Sequence, residues 1–195
     1  MKKKLFLLIS IAMLFLGCQS KSEESTPSAE AKVQAPATVD PQAIIALYKE
    51  VDSLTQLGNM DRQKMQQFVD EAVEYAERVP NDTLAPHFLL YAGVMQMQVA
   101  FSNANEQQRL SQAEEAVKIL EKLLQDHPDY RNIIYAYYYK AQIYENLGKQ
   151  EKAAVTYRNL VDRFPDTELG KNISAYLQAG GYEKSAEEIM QGFKK

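Results

Sequence analysis

The 195-residue sequence predicts an all-α fold in which antiparallel helix hairpins stack as a short solenoid. Apolar residues recur three and four positions apart over most of residues 40–195, which is the period of one helix face. Glycine and proline number only 8 and 7, and they stand mainly where these periodic segments end, as at helix boundaries. One domain with a buried core is expected, since 46% of the residues are apolar.

Residues 1–17 have the organisation of a secretory signal peptide. A basic start precedes an apolar run of about 12 residues, too short for a membrane span of roughly 20. Gly17 then precedes Cys18, the only cysteine. This pair resembles the lipobox of bacterial lipoproteins, which implies that Cys18 is lipidated and becomes the mature N-terminus. An ordinary cleaved signal followed by a coincidental cysteine is the alternative.

Residues 18–39 are predicted to be a disordered tether, because they contain almost no bulky apolar side chain. Gln19 after the cysteine resembles lipoproteins of the outer membrane. The run from Lys21 to Glu24 resembles a surface-export tag, or is a solvated linker. We therefore expect a lipid-anchored protein of the bacterial cell envelope, at the outer membrane, with the periplasmic or surface face left open.

The first two predicted helices begin and end at recognisable boundaries. Asp40 and Pro41 suit the first turn of a helix, and Gly58 ends the run of apolar residues that follows. The second helix should end before Pro80. Its apolar stripe consists of Met65, Phe68, Val69, Ala72, Val73, Ala76 and Val79.

The third helix is predicted from about Ala85 to Ala100, and a polar stretch follows it. Ser111 and Glu114 have the spacing of a capping box, so a fourth helix is expected to begin there. His127 and Pro128 should close that helix.

Residues 131–165 carry the most specific pattern in the chain. With Ile134 as the first position of a 34-residue unit, small, aromatic and turn residues occur at regular places: Tyr137, Ala141, Tyr144, Gly148, Ala153, Tyr157 and Pro165. This pattern resembles a tetratricopeptide repeat, whose small residues let two helices approach closely. The resemblance implies that residues 40–195 form a helical domain of such repeats.

Two flanking segments resemble the same unit less closely. In the preceding one, Ala92 and Ala116 stand 24 residues apart, against 12 for Ala141 and Ala153, as if it contained a twelve-residue insertion. A truncated final unit is expected downstream, with Leu177, Gly181, Ala186, Met190 and Phe193 in matching places.

Composition and motifs argue against several functions. The net charge of −4 disfavours nucleic acid as a partner. His127 is expected to cap a helix C-terminus, and His87, in a first helical turn, to stay neutral. No HExxH, phosphate-loop, GxSxG or paired-cysteine pattern occurs. The sequence therefore predicts neither an enzyme nor a cofactor or metal site.

The resemblance also implies a partner-binding surface on the concave side of the repeat, formed by Tyr135, Tyr138, Gln142, Glu145 and Asn146. Exposed tyrosines are common anchors at protein interfaces, whereas Tyr137, Tyr144 and Tyr157 are expected in the core. Packing against the neighbouring helix pair is the other interpretation of the first set. The expected function is a membrane-anchored scaffold for protein or peptide partners in the cell envelope. A lipoprotein that binds glycan or peptidoglycan is the alternative.

Overall fold

The computed structural model describes residues 40–180. Helices form about four fifths of this range, and no β-strand occurs within it. In chain order, the helices are α1 (Pro41–Gln56), α2 (Arg62–Arg78), α3 (Ala85–Phe101), α4 (Glu106–Asp126), α5 (Ile133–Asn146), α6 (Gln150–Arg163) and α7 (Glu168–Gly180).

Each helix packs on the next one in the chain, and α3 also touches α5. The arrangement is a row of hairpins, α1 with α2, α3 with α4 and α5 with α6, to which α7 adds a further helix. The predicted all-α solenoid is therefore confirmed.

Side-chain caps determine where three of the helices begin. Asp40 accepts a hydrogen bond from the Gln42 amide at 3.0 Å, and Asp61 accepts one from the Lys64 amide at 3.1 Å. Asn105 does the same for α4. These bonds satisfy amides that have no partner within the helix, so helix starts follow the positions of short polar side chains.

The predicted start of α4 at Ser111 is wrong. The helix begins at Glu106, because Asn105 accepts a hydrogen bond from the Gln108 amide at 3.0 Å and caps the chain earlier. The first turns of α4 are largely exposed, so they need no apolar stripe. The twelve extra residues between Ala92 and Ala116 therefore mainly extend the two helices of this hairpin. Helix α3 has 17 residues and α4 has 21, compared with 14 each for α5 and α6.

The core extends along the stack in three clusters, between α1, α2 and α3, between α3, α4 and α5, and between α5, α6 and α7. Helix α3 takes part in the first two and is buried on most of its circumference. The small residues of the predicted register, Ala92, Ala116, Ala141 and Ala153, are all fully buried. Their burial agrees with the small-residue positions of the register.

Gly93 lies at a close approach of α3 to α4. A Cβ atom at this position would lie 2.5 Å from Leu120 Cδ2 and 2.7 Å from its Cγ. Both distances are far below van der Waals contact, so Leu120 would have to shift to accommodate any side chain at position 93.

Several predictions concern residues outside the described range. They are the signal peptide at 1–17, the lipidated Cys18, the tether at 18–39, and Gly181, Ala186, Met190 and Phe193 of the final unit. Leu177 of that unit is described, and it is buried in the cluster formed with α5 and α6. Among the helices of residues 40–180, none has the length and apolarity that crossing a membrane requires.

Candidate partner-binding surface

The first helices of successive hairpins bring tyrosines from distant parts of the chain together. Tyr48 of α1 and Tyr91 of α3 have ring centroids 4.8 Å apart. Tyr138 and Tyr139 of α5 are 5.4 Å apart. Burial, followed by neighbouring tyrosines that include Tyr91, raises the pKa of Tyr139 to about 12. The tyrosines of α1, α3 and α5 therefore lie along one surface.

The chain of ring contacts continues towards the end of the stack through a buried tyrosine. The Tyr157 ring of α6 lies 6.4 Å from Tyr138 and 5.7 Å from Tyr176 of α7. We call the whole set the tyrosine row. It consists of Tyr48, Tyr91, Tyr139, Tyr138, Tyr157 and Tyr176.

The predicted binding residues all lie on α5, and the structure joins three of them. Gln142 Nε2 donates a hydrogen bond to the Tyr138 hydroxyl at 2.8 Å, and Asn146 Nδ2 donates to the Gln142 carbonyl at 2.9 Å. Tyr135 is half-buried and packs against the cluster between α3 and α4. The α5 part of the surface is therefore a connected patch of one aromatic ring and two amides.

Glu145 has a different set of contacts from its neighbours on α5. Its carboxylate accepts hydrogen bonds from the Tyr157 hydroxyl at 3.1 Å and from the Tyr176 hydroxyl. It thus connects α5 to both α6 and α7. Burial first, and then Glu145, raises the pKa of Tyr157. Glu145 consequently holds the far end of the tyrosine row in place.

Burial does not separate the predicted core tyrosines from the predicted groove tyrosines. Tyr137 and Tyr144, expected in the core, are half-buried, as are Tyr135 and Tyr138. Only Tyr157 of the expected core set is buried, with 3% of its surface exposed.

Polar and cationic neighbours explain why Tyr137 and Tyr144 stay at the surface. Arg163 Nη1 donates a hydrogen bond to the Tyr137 hydroxyl at 3.3 Å. The ammonium groups of Lys140 and Lys152 lie 5.9 and 5.6 Å from the centroid of the Tyr144 ring, within the range of cation–π attraction. Both rings also pack against the core clusters, so these two tyrosines cover the edge of the core.

A recess between α1 and α3 was missed by the sequence prediction. It has a volume of about 70 Å³, and its lining includes Tyr48, Asp52, Thr55, Tyr91, Val94 and Gln98. Sequence periodicity assigns Tyr48 and Tyr91 to helices, but it does not show that two helices from different hairpins meet. The sequence feature that could have indicated this recess is the tyrosine near the middle of both α1 and α3.

A larger and more open recess of about 410 Å³ lies where the α2–α3 and α4–α5 connections meet. Its lining includes Pro80, Asp82, Pro86, Asp126, His127 and Tyr130. His127 is the C-cap of α4, as predicted. Within residues 40–180, no group of three or more histidine, cysteine or acidic side chains is arranged to hold a metal ion.

His87 lies beside this second recess. Its Nδ1 is 2.9 Å from the Tyr130 hydroxyl, which donates to it when the imidazole is neutral. Burial, followed by the charge of Arg131, lowers the pKa of His87. The contact with Tyr130 and the lowered pKa agree with the neutral surface or packing role predicted for this histidine.

Comparison with known families identifies the repeated unit. Residues 89–130 and 135–167 match the family model of the tetratricopeptide repeat. The first match takes in α4 and most of α3, and the second takes in α6 and most of α5. No curated protein and no solved structure matches the chain significantly.

Proposed function

We propose that this chain, which carries tetratricopeptide repeats at residues 89–130 and 135–167, is a membrane-anchored scaffold that binds protein or peptide partners in the bacterial cell envelope. The partner lies along the tyrosine row and the adjoining amides of Gln142 and Asn146. Helical repeats suit this function because each hairpin contacts only its neighbours, which leaves an extended surface for recognition.

The tyrosine row is the observation that carries the proposal. Tyrosine offers a large ring with few rotatable bonds and a hydroxyl that can donate or accept hydrogen bonds, and it is enriched among the residues that dominate binding energy. Here Tyr48, Tyr91 and Tyr138 are half-buried, so their rings are held by the fold while part of each remains accessible. Such rings are ordered before a partner arrives, which reduces the entropy lost on binding.

The N-terminal sequence supports the membrane part of the proposal. A cleaved signal ending at Gly17 would leave Cys18 as a lipidated N-terminus, followed by a polar segment to residue 39. Such a segment of 22 residues would allow a root-mean-square separation of about 25 Å between lipid and folded domain. Gln19 favours the outer membrane.

Acylation is tested by expressing the wild type and Cys18→Ser in a bacterial host with a palmitate analogue that can be labelled. The wild type should incorporate the analogue and fractionate with membranes, and the variant should do neither. Equal labelling of the two proteins would overturn the membrane part of the proposal.

Partner binding is tested by comparing two double variants in capture experiments from detergent-solubilised envelope. Tyr91→Ala with Tyr138→Ala changes the tyrosine row, whereas Tyr137→Ala with Tyr144→Ala removes two half-buried tyrosines outside it. We expect the first pair to abolish capture and the second to retain it. Thermal melts of both show whether loss of folding accounts for the result. Equal capture by both variants would exclude the row as the binding surface.

Glycan or peptidoglycan binding is the second candidate, since tyrosine rings also stack on sugars. A glycan array with the same two variants separates the candidates. Binding of a defined glycan by the wild type, lost only in the Tyr91 and Tyr138 variant, would replace the protein-partner proposal.

A further inference from the structure

We infer that the recess between α1 and α3 receives a lysine or arginine side chain from the bound protein segment. This inference rests on the proposed function, since the recess forms one end of the tyrosine row. It specifies the chemistry of the partner: an extended segment with a basic side chain that enters the recess lined by Tyr48, Tyr91 and Asp52.

The recess has the dimensions and walls for one side-chain head group. Its volume of about 70 Å³ exceeds the space for one water but is far below that of drug-sized ligand sites. Two aromatic rings, at a centroid distance of 4.8 Å and an interplanar angle of 39°, form part of its wall. Thr55 and Gln98 add uncharged polar groups.

Asp52 gives the recess its charge. Gln56 Nε2 donates a hydrogen bond to Asp52 Oδ2 at 2.8 Å, which orients the carboxylate without neutralising it. The ion pairs seen within residues 40–180 do not involve Asp52. Arg131 acts electrostatically on Tyr91, but it does not line the recess.

The electrostatics of Tyr48 support the same assignment. Burial first, then Tyr91 and Asp52, raises the pKa of Tyr48. Burial disfavours a charge of either sign, so the sign preference of the recess comes from the smaller contributions, in which the Asp52 carboxylate disfavours a second negative charge and favours a positive one. A lysine or arginine would suit both parts of the lining, since its cation can pair with Asp52 while its aliphatic stem packs against the aromatic wall.

Two small probes test the inference on the full chain purified in detergent. Nα-acetyl-arginine amide carries the guanidinium, and Nα-acetyl-citrulline amide is its uncharged analogue. Binding is followed by amide shifts in ¹⁵N-labelled protein. We expect saturable shifts in residues 48–55 and 91–98, with affinity for the arginine probe about fivefold higher or more, in keeping with a partly desolvated charge pair.

Asp52→Asn and a matched control then identify the group responsible. Asp70 of α2 is exposed and accepts a hydrogen bond from Gln66 at 2.9 Å, so Asp70→Asn makes the same charge change beside a similar glutamine, away from the recess. Asp52→Asn should reduce the preference for arginine to less than about twofold, and Asp70→Asn should leave it unchanged.

The outcomes separate this inference from the scaffold proposal. Equal affinity for the two probes, an unchanged preference in Asp52→Asn, shifts confined to other regions, or no saturable response would each overturn the inference. Envelope capture retained in any of those cases would leave the scaffold standing. A wild type that discriminates between the probes but captures no envelope protein would support the recess chemistry and overturn the scaffold.

Discussion

The substitution Gly93→Ala tests the close contact between α3 and α4. The added Cβ would lie 2.5 Å from Leu120 Cδ2 and 2.7 Å from Cγ. Because Leu120 is fully buried, it cannot turn into solvent to relieve the contact. Overpacking of this kind costs typically about 1–3 kcal/mol. Alanine is also a better helix former than glycine, by about 1 kcal/mol. The net loss of stability in the native background should therefore reach up to about 2 kcal/mol.

A double-mutant cycle separates the two effects. With Leu120→Ala the obstructing atoms are gone, so Gly93→Ala should now stabilise the protein by about 1 kcal/mol. The coupling energy between the two positions should be about 1–3 kcal/mol. The free energy of unfolding of all four proteins is measured by guanidinium denaturation, followed by far-ultraviolet circular dichroism.

Leu123 provides the matched control for this cycle. Like Leu120, it is a fully buried leucine of α4. None of its atoms is among the three that lie nearest to a Cβ at position 93. Gly93→Ala and Leu123→Ala should therefore be additive within about 0.5 kcal/mol. If Gly93→Ala changed stability equally in the native and Leu120→Ala backgrounds, α3 and α4 would not be in contact through this pair.

Three further predictions follow from the structure. Ala141→Leu places a branched side chain at a fully buried contact and should destabilise the fold by about 1–3 kcal/mol in denaturation experiments; an unchanged midpoint would contradict the repeat register. Glu145→Gln replaces the carboxylate that accepts the hydrogen bond of the Tyr176 hydroxyl with a weaker acceptor. Amide hydrogen exchange in α7 should become faster, and unchanged exchange would show that Glu145 does not hold α7 in place. Because the pKa of His87 is lowered below its ordinary 6.5, the neutral form favours the fold, so this contribution is present above pH 6.5 and is lost as the pH falls through the lowered pKa. His87→Asn, which can still accept from Tyr130, should flatten the dependence of the unfolding midpoint on pH below 6.5; identical profiles would rule out this linkage.

Local sequence signals predicted the helices and much of their register because the forces involved act over a few residues. Asp40 caps α1 through its own side chain, and Gly148 ends α5 with a φ of 70° that glycine adopts most readily. The small residues Ala141 and Ala153 could be assigned to the hairpin contact because bulkier side chains would hold the helices apart. The start of α4 was misplaced because Asn105 and Ser111 were both acceptable caps, and only the folded chain shows which side chain makes the bond.

The binding surface could not be predicted in full from local patterns, because it is formed by contacts between helices that are distant in the chain. Helical period indicates the direction in which each α5 tyrosine points, but its exposure depends on which side chains arrive from other helices, such as Arg163 over Tyr137. The recess beside Asp52 requires Tyr48 and Tyr91 to meet, although they lie 43 positions apart in the chain. The sequence by itself thus determined the helices, the hairpin register and the residues expected to carry lipid or partner. Only the tertiary structure decided which tyrosines form one row and where a carboxylate faces them, because these contacts depend on the packing distance and angle between hairpins.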